Sequence, residues 1–342
     1  YIYSGGSEGK IIQWSHQSDG WKPTVIVPER NGTNPRLNYS VYSLDISPDE
    51  KYLVAGGVYP FDRLNNFAEL YSTNDLTAPA KKITGFSSEI HDIQFRKDSK
   101  GFYARDKSGF SIKYADIASL TATEVIKPKV KIFSLSYSPD GTKLAGAAAD
   151  GNLYIWDISD NFKETVVKIP GNKSVALSAV CFAPDSKTIV VGNFDGGVKI
   201  LFANGTVRDL TGHTSVIEAI KFNFSGSFMA TASKDYTVRL WNYNDPKQQP
   251  IVLSEHDWVW NLAFTPDDEQ LIAGIQQVKE SIKAGVSRTD QTIHAWPTKI
   301  STMSSILCGK ITRNMTADEW NTYVADDLKR EKTCIDLPDD SN

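Results

Sequence analysis

Gly5, Ser7 and Gly9 stand in "GGSEG" at the Gly-x-Ser-x-Gly spacing of a hydrolase nucleophile elbow. That device needs a strand, a sharp turn and a helix, so that the serine hydroxyl is thrust out beside its general base. Here strand-like runs flank the motif on both sides, which places Ser7 in a hairpin turn and makes the spacing coincidental. The histidines His16, His91, His213, His256 and His294 form no HExxH pair and show no metal spacing with the cysteines, so no metal is expected. Asp-rich turns such as "SPDE" and "TPDDE" lack the spaced ligand series of a calcium loop. Neither GxxxxGK[ST] nor GxGxxG between strand and helix occurs, so no nucleotide or other cofactor is expected. Glu89 and His91 carry the one enzymatic alternative, a hydrolase or lyase with an acid/base pair at the centre of the fold.

The chain has 342 residues and a formal net charge of −4, with its Lys and Arg scattered. It therefore lacks the basic footprint of a nucleic-acid binder. No apolar run approaches the roughly 20 residues needed to span a bilayer, so no direct membrane contact is expected. The sequence has no initiator Met and opens directly in a strand-like run, "YIYSGG", which suggests a piece of a longer protein.

What must position any site is a repeat. "LDISPDEKYLVAGG", "LSYSPDGTKLAGAAADGNLYIWD", "VCFAPDSKTIVVGNFDGGVKIL", "IKFNFSGSFMATASKDYTVRLW" and "LAFTPDDEQLIAGI" share an apolar strand, a Pro/Asp/Gly turn and a second apolar strand. A third strand ends at Trp14, Tyr71, Tyr114, Trp156, Leu201, Trp241 or Trp296. These ends lie 40 to 57 residues apart, near the ~40 to 45 residues of a four-stranded propeller blade.

On these motifs, residues 1–303 resemble the WD40 repeat family, and the resemblance implies an all-β, seven-bladed β-propeller. Blades fall at about 1–27, 39–86, 88–126, 130–170, 175–210, 213–254 and 256–303, the first lacking its innermost strand. In the unit "LTGHTSVIEAIKFNFSGSFMATASKDYTVRLW" the resemblance makes His213, Ser233, Asp235 and Trp241 a structural hydrogen-bonded tetrad. Cys181, inside "SAVCFAP", reads as a core thiol.

Residues 304–342 change period and form a short C-terminal α-helical extension. Thr316 and Glu319 make a capping box ahead of "WNTYVADDLKR", whose Trp320, Tyr323, Val324 and Leu328 share one face. Cys308 and Cys334 bracket this segment either as a disulfide, which would contribute about 3 kcal/mol and indicate an oxidising compartment, or as two reduced thiols. "RNMTADEW" followed by "KTC" is similar to the tail behind WD40 propellers in bacterial signalling chains. Those carry an upstream STAND-type nucleoside-triphosphatase or caspase-like domain, sometimes with a transmembrane helix between. The resemblance implies a sensor or docking module with upstream parent domains, cytoplasmic, or extracytoplasmic if the disulfide forms.

The expected binding site is the top face of the ring. Trp258 and Trp260 flank core Val259 at the mouth of an inner strand, with side chains alternating away from it. The equivalent slots hold Tyr42, Glu89, His91, Lys131, Phe133 and Glu218, and Phe194 and Lys234 project to the same face. The long insertions 28–38, 58–66 (with Tyr59, Phe61 and Arg63) and 276–288 rise there too. Such aromatic-rich rims dominate binding hot spots, so the chain reads as a non-catalytic scaffold or sensor that binds a protein or peptide. An architectural module is the other alternative.

Overall fold

The computed structural model describes residues 1–6, 9–18, 20–28, 40–58, 66–245, 247–276, 293–310, 312–314, 316, 332, 334, 337 and 338. The insertion residues Tyr59, Phe61 and Arg63 and the capping-box helix after Thr316 lie outside the described residues.

Short runs rich in valine, isoleucine, alanine and aromatic residues are punctuated by Pro-Asp and Asp-Gly turns, and each run pairs with the next as an antiparallel meander, the second strand of each unit being buried almost throughout. The result is all-β, with one short helix among the described residues. The first sheet contains Ile2–Gly5, Ile11–Gln17 and Gly20–Val27. Three further sheets are four-stranded and begin at Ile132–Tyr137, Leu177–Phe182 and Ile217–Phe222, and the last contains Trp258–Phe264, Gln270–Gln276 and Ile293–Pro297. An eight-stranded sheet spans 40–126 and consists of two four-stranded runs starting at Ser40–Ile46 and Ile90–Phe95. Their outer strands meet through a single parallel pair, Thr84 with Thr121. Gly85, at φ +97°, permits this approach, because a Cβ there would strike the carbonyl of Ala122.

The units pack side by side through their inner strands. Glycines at the ends of second strands make this possible: a Cβ on Gly56 would lie 2.7 Å from Ile90, and one on Gly192 2.5 Å from Ile217 of the next unit. Side-chain acceptors also staple neighbouring inner strands. Asp45 Oδ2 accepts the N–H of Phe95 at 2.7 Å, Asp92 Oδ2 that of Leu135 at 2.7 Å, and Ser136 Oγ that of Phe182 at 3.0 Å. At the opposite end, Asp268 accepts the N–H groups of Phe224 and Ser225 at 2.7 and 2.8 Å. The last sheet closes on the first: Ile272 and Ile293 pack with Trp14, and Trp21 Nε1 donates to Gln270 Oε1 at 2.7 Å.

The inter-strand lock at residues 213–241 differs from the expected tetrad in one member. His213 pairs with Asp235 Oδ2 at 2.8 Å, as the resemblance implies, but the hydroxyl between His213 and Trp241 belongs to Thr231. Thr231 Oγ1 lies 2.8 Å from His213 Nε2 and accepts from Trp241 Nε1 at 3.0 Å. Ser233, two residues further along the same strand face, instead donates to the carbonyl of Ser215 and accepts the N–H of Asp235. Burial pulls the Asp235 carboxyl upward, but hydrogen bonds from His213, Thr237 and the Thr214 N–H outweigh it and hold the group far below the usual carboxylate range.

Cys181 is half-buried at the margin of its core cluster, with burial raising its thiol and Lys221 nearby. Behind the last strand, a nine-residue helix runs Ile300–Cys308. The expected boundary at 303 therefore falls inside a helix. A disulfide joins Cys308 to Cys334, with Cα atoms 5.5 Å apart. Asn314, 1% exposed, gathers the tail around it, donating to the carbonyls of Cys334 and Leu337 and accepting the Cys334 N–H.

Candidate partner-binding rim

Six inner strands carry the same irregularity at the same level. The pairing register slips between Val41 and Ser43, Ile90 and Asp92, Ile132 and Ser134, Leu177 and Ala179, Ile217 and Ala219, and Val259 and Asn261. The skipped residues are Tyr42, His91, Phe133, Ser178, Glu218 and Trp260. A bulge inserts one unpaired residue and re-aims its side chain. Core contacts resume three residues on, which is why Val259, Leu262 and Phe264 are all buried while Trp260 remains 43% exposed. Alternation about Val259 is kept through Trp260 and breaks at the next residue, Asn261, which is exposed where strict alternation would bury it.

Turn residues are seated beside the bulges by backbone bonds. Lys107, Phe194 and Lys234 donate their N–H groups to the carbonyls of Glu89, Ala176 and Val216 at 2.8, 3.1 and 3.0 Å. Lys107 was not singled out in the sequence, although it fills the slot that Phe194 and Lys234 fill in their own units.

The rim residues gather into three groups. In the first, the Lys234 ammonium lies 5.0 and 4.9 Å from the ring centroids of Trp258 and Trp260, and 2.9 Å from Glu218 Oε1. In the second, Lys131 Nζ stands 4.9 Å over Phe133, whose ring meets Phe194 edge to face at 5.1 Å. In the third, Tyr42, 46% exposed, stacks on His91 at 4.3 Å, with Glu89 3.5 Å from His91 Nε2 and 2.9 Å from Lys107 Nζ. Burial, helped by the charge of Arg105, lowers the His91 pKa, so its ring is neutral at pH 7. The hydrogen bond to Glu89 raises that of Lys107. Glu89 therefore lies between a neutral imidazole and the Lys107 ammonium, and its ion pair is with the lysine.

Below the rim, burial pushes the Asp45 carboxyl up to about 6, against the Phe95 hydrogen bond and the charge of Lys221. Burial likewise raises Asp92 and lowers Arg105. Both aspartates are committed to the backbone staples described above. Among the described residues no group of three or more His, Cys, Asp or Glu is placed to hold a metal ion, and no helix is long and apolar enough to cross a membrane.

Comparison with known proteins agrees with this architecture. Residues 124–157, 163–200 and 204–242 match the family model described as WD domain, G-beta repeat, so the chain carries WD40 repeats. It is similar to the LEC14B homolog of Prunus armeniaca, 21% identical over 75% of this chain and 47% of that protein. Protein groucho of Drosophila melanogaster is 25% identical over 52% of this chain and 24% of its own length. The LST8 homolog of Drosophila pseudoobscura pseudoobscura is 21% identical over 77% of this chain and 81% of its own. The chain thus spans about half or less of the first two relatives. All three are eukaryotic, and none supports the expected bacterial context.

Proposed function

We propose that the chain is a non-catalytic interaction module, a seven-bladed WD40 propeller that binds a protein or peptide on the face bearing Trp258, Trp260, Tyr42, His91 and Phe133. The observation that carries this reading is the row of six bulges. Each spends one residue of an otherwise regular inner strand to turn a side chain to the same end of the ring. Large, entropically cheap aromatic surface beside ordered charges is the composition of a binding hot spot. Reading the eight-stranded sheet as two blades joined at their outer edges gives the seven units of the proposed ring.

In this reading the Cys308–Cys334 bond fastens the chain behind the last strand. The finer proposal is a sensor or docking module in a larger signalling chain, with a nucleoside-triphosphatase or protease domain upstream. It rests on the likeness of the tail alone. The test is affinity capture from source-cell lysate by the wild type and by a folded Trp258→Ala/Trp260→Ala variant, with Phe224→Ala as an opposite-end control. A partner retained by the wild type and the control but lost by the double variant supports rim recognition. Equal capture by all three removes it.

A further inference from the structure

The three rim groups differ in what they enclose. Around Phe133 one ring faces one ammonium, and around His91 the lysine lies against a carboxylate. Only at Trp258, Trp260 and Glu218 do two indole faces and a carboxylate surround a single cationic centre, the Lys234 Nζ, at 5.0, 4.9 and 2.9 Å. Two aromatic faces and an acid are the recognition chemistry for alkylammonium and guanidinium groups. Building on the rim reading, we infer that this is a cation-recognition cage, filled in the free chain by its own Lys234, and that the partner's anchor is a cationic side chain that displaces it.

Two features favour displacement over a permanent lock. Lys234 is tethered at its backbone N–H to the Val216 carbonyl, and the neighbouring Asp235 is fixed by His213, so only the flexible four-carbon stem must swing for the ammonium to leave. The lysine side chain is also 26% exposed and Trp260 43% exposed, which leaves an open side for entry. Glu218 sets the sign of the incoming group. Its side chain is only 16% exposed, so an apolar or anionic anchor that expelled Lys234 would strand a carboxylate in a largely dry site. A lysine, an arginine or a methylated ammonium restores the pairing.

The internal lysine acts as a competitor, so removing it strengthens binding of an external cation in proportion to the fraction of chains in which the cage is empty. Tetramethylammonium titrated against the full chain, followed through the indole N–H signals of Trp258 and Trp260, measures this. Lys234→Ala should bind it about 10- to 30-fold more tightly than wild type. Adding Trp260→Leu or Glu218→Gln to that variant should abolish the gain, with thermal midpoints confirming that each remains folded. Equal affinity of wild type and Lys234→Ala, or a gain that survives Trp260→Leu, overturns the inference. So does absence of tetramethylammonium binding in variants whose rim still captures a protein partner, a result that leaves the rim reading itself intact.

Discussion

Replacing Thr231 by valine removes one oxygen and keeps the side chain's shape. Thr231 is 0% exposed, and its hydroxyl is shared by Trp241 Nε1 and His213 Nε2, both within 3.0 Å. Valine leaves a buried indole N–H and a buried imidazole nitrogen without a partner. Each such loss costs about 1 to 3 kcal/mol, so Thr231→Val should destabilise by about 2 to 6 kcal/mol. Ser233→Ala should cost only about 1 kcal/mol, because it removes a bond to one backbone carbonyl and a cap on the Asp235 N–H. Equilibrium urea unfolding followed by tryptophan fluorescence gives both values, and the indole N–H signal of Trp241 should shift in Thr231→Val alone. If Ser233→Ala proved the costlier change, or Thr231→Val fell within about 0.5 kcal/mol of wild type, the assignment of the lock to Thr231 would be wrong.

Further consequences concern pH, packing and redox state. Burial raises Asp45 to about 6, so the folded chain holds this proton to higher pH than the unfolded chain, and Asp45 favours folding more as pH falls from above 6 to below about 4. Asp45→Asn should therefore flatten the stability profile in that window by about 2 to 3 kcal/mol, as read from unfolding midpoints between pH 4 and 7.5. The depressed Asp235 acts in the opposite sense, its contribution being present above about pH 4 and lost on acidification below it. Gly192→Ala should cost about 1 to 3 kcal/mol through the clash with Ile217 and show it in the same urea titration. Reducing the Cys308–Cys334 bond, which closes a separation of 26 residues, should cost about 3 kcal/mol in the segment it straps, measured as faster amide exchange around Asn314.

The repeat made the sheet architecture legible, since each unit carries its own turn chemistry and apolar runs. The rim slots were legible for the same reason: once one inner strand is aligned, the others follow. The bulge was present as apolar residues at i, i+3 and i+5, as in Ile90, Ile93 and Phe95, but a period-two reading hides the added residue. The grouping of rim residues was not legible, because it depends on how side chains of adjacent units lean on one another, which strand period and spacing do not set. Thr231 was missed because it shares a strand face with Ser233, and only the reach of the Trp241 ring separates them. The helix Ile300–Cys308 has no acidic residue in its first turn and no basic residue in its last, so it lacked the usual end signals.

Recognition at the bulged end of the ring is the proposal on which the rest depends. Its most direct test is calorimetric titration of the captured partner against Trp260→Ala, Phe133→Ala and Tyr42→Ala, with Phe224→Ala, 68% exposed at the opposite end, as reference. Losses of about 2 kcal/mol or more are expected for at least one rim variant and none for Phe224→Ala. Unchanged affinity in all three rim variants, or a loss confined to Phe224→Ala, would contradict it.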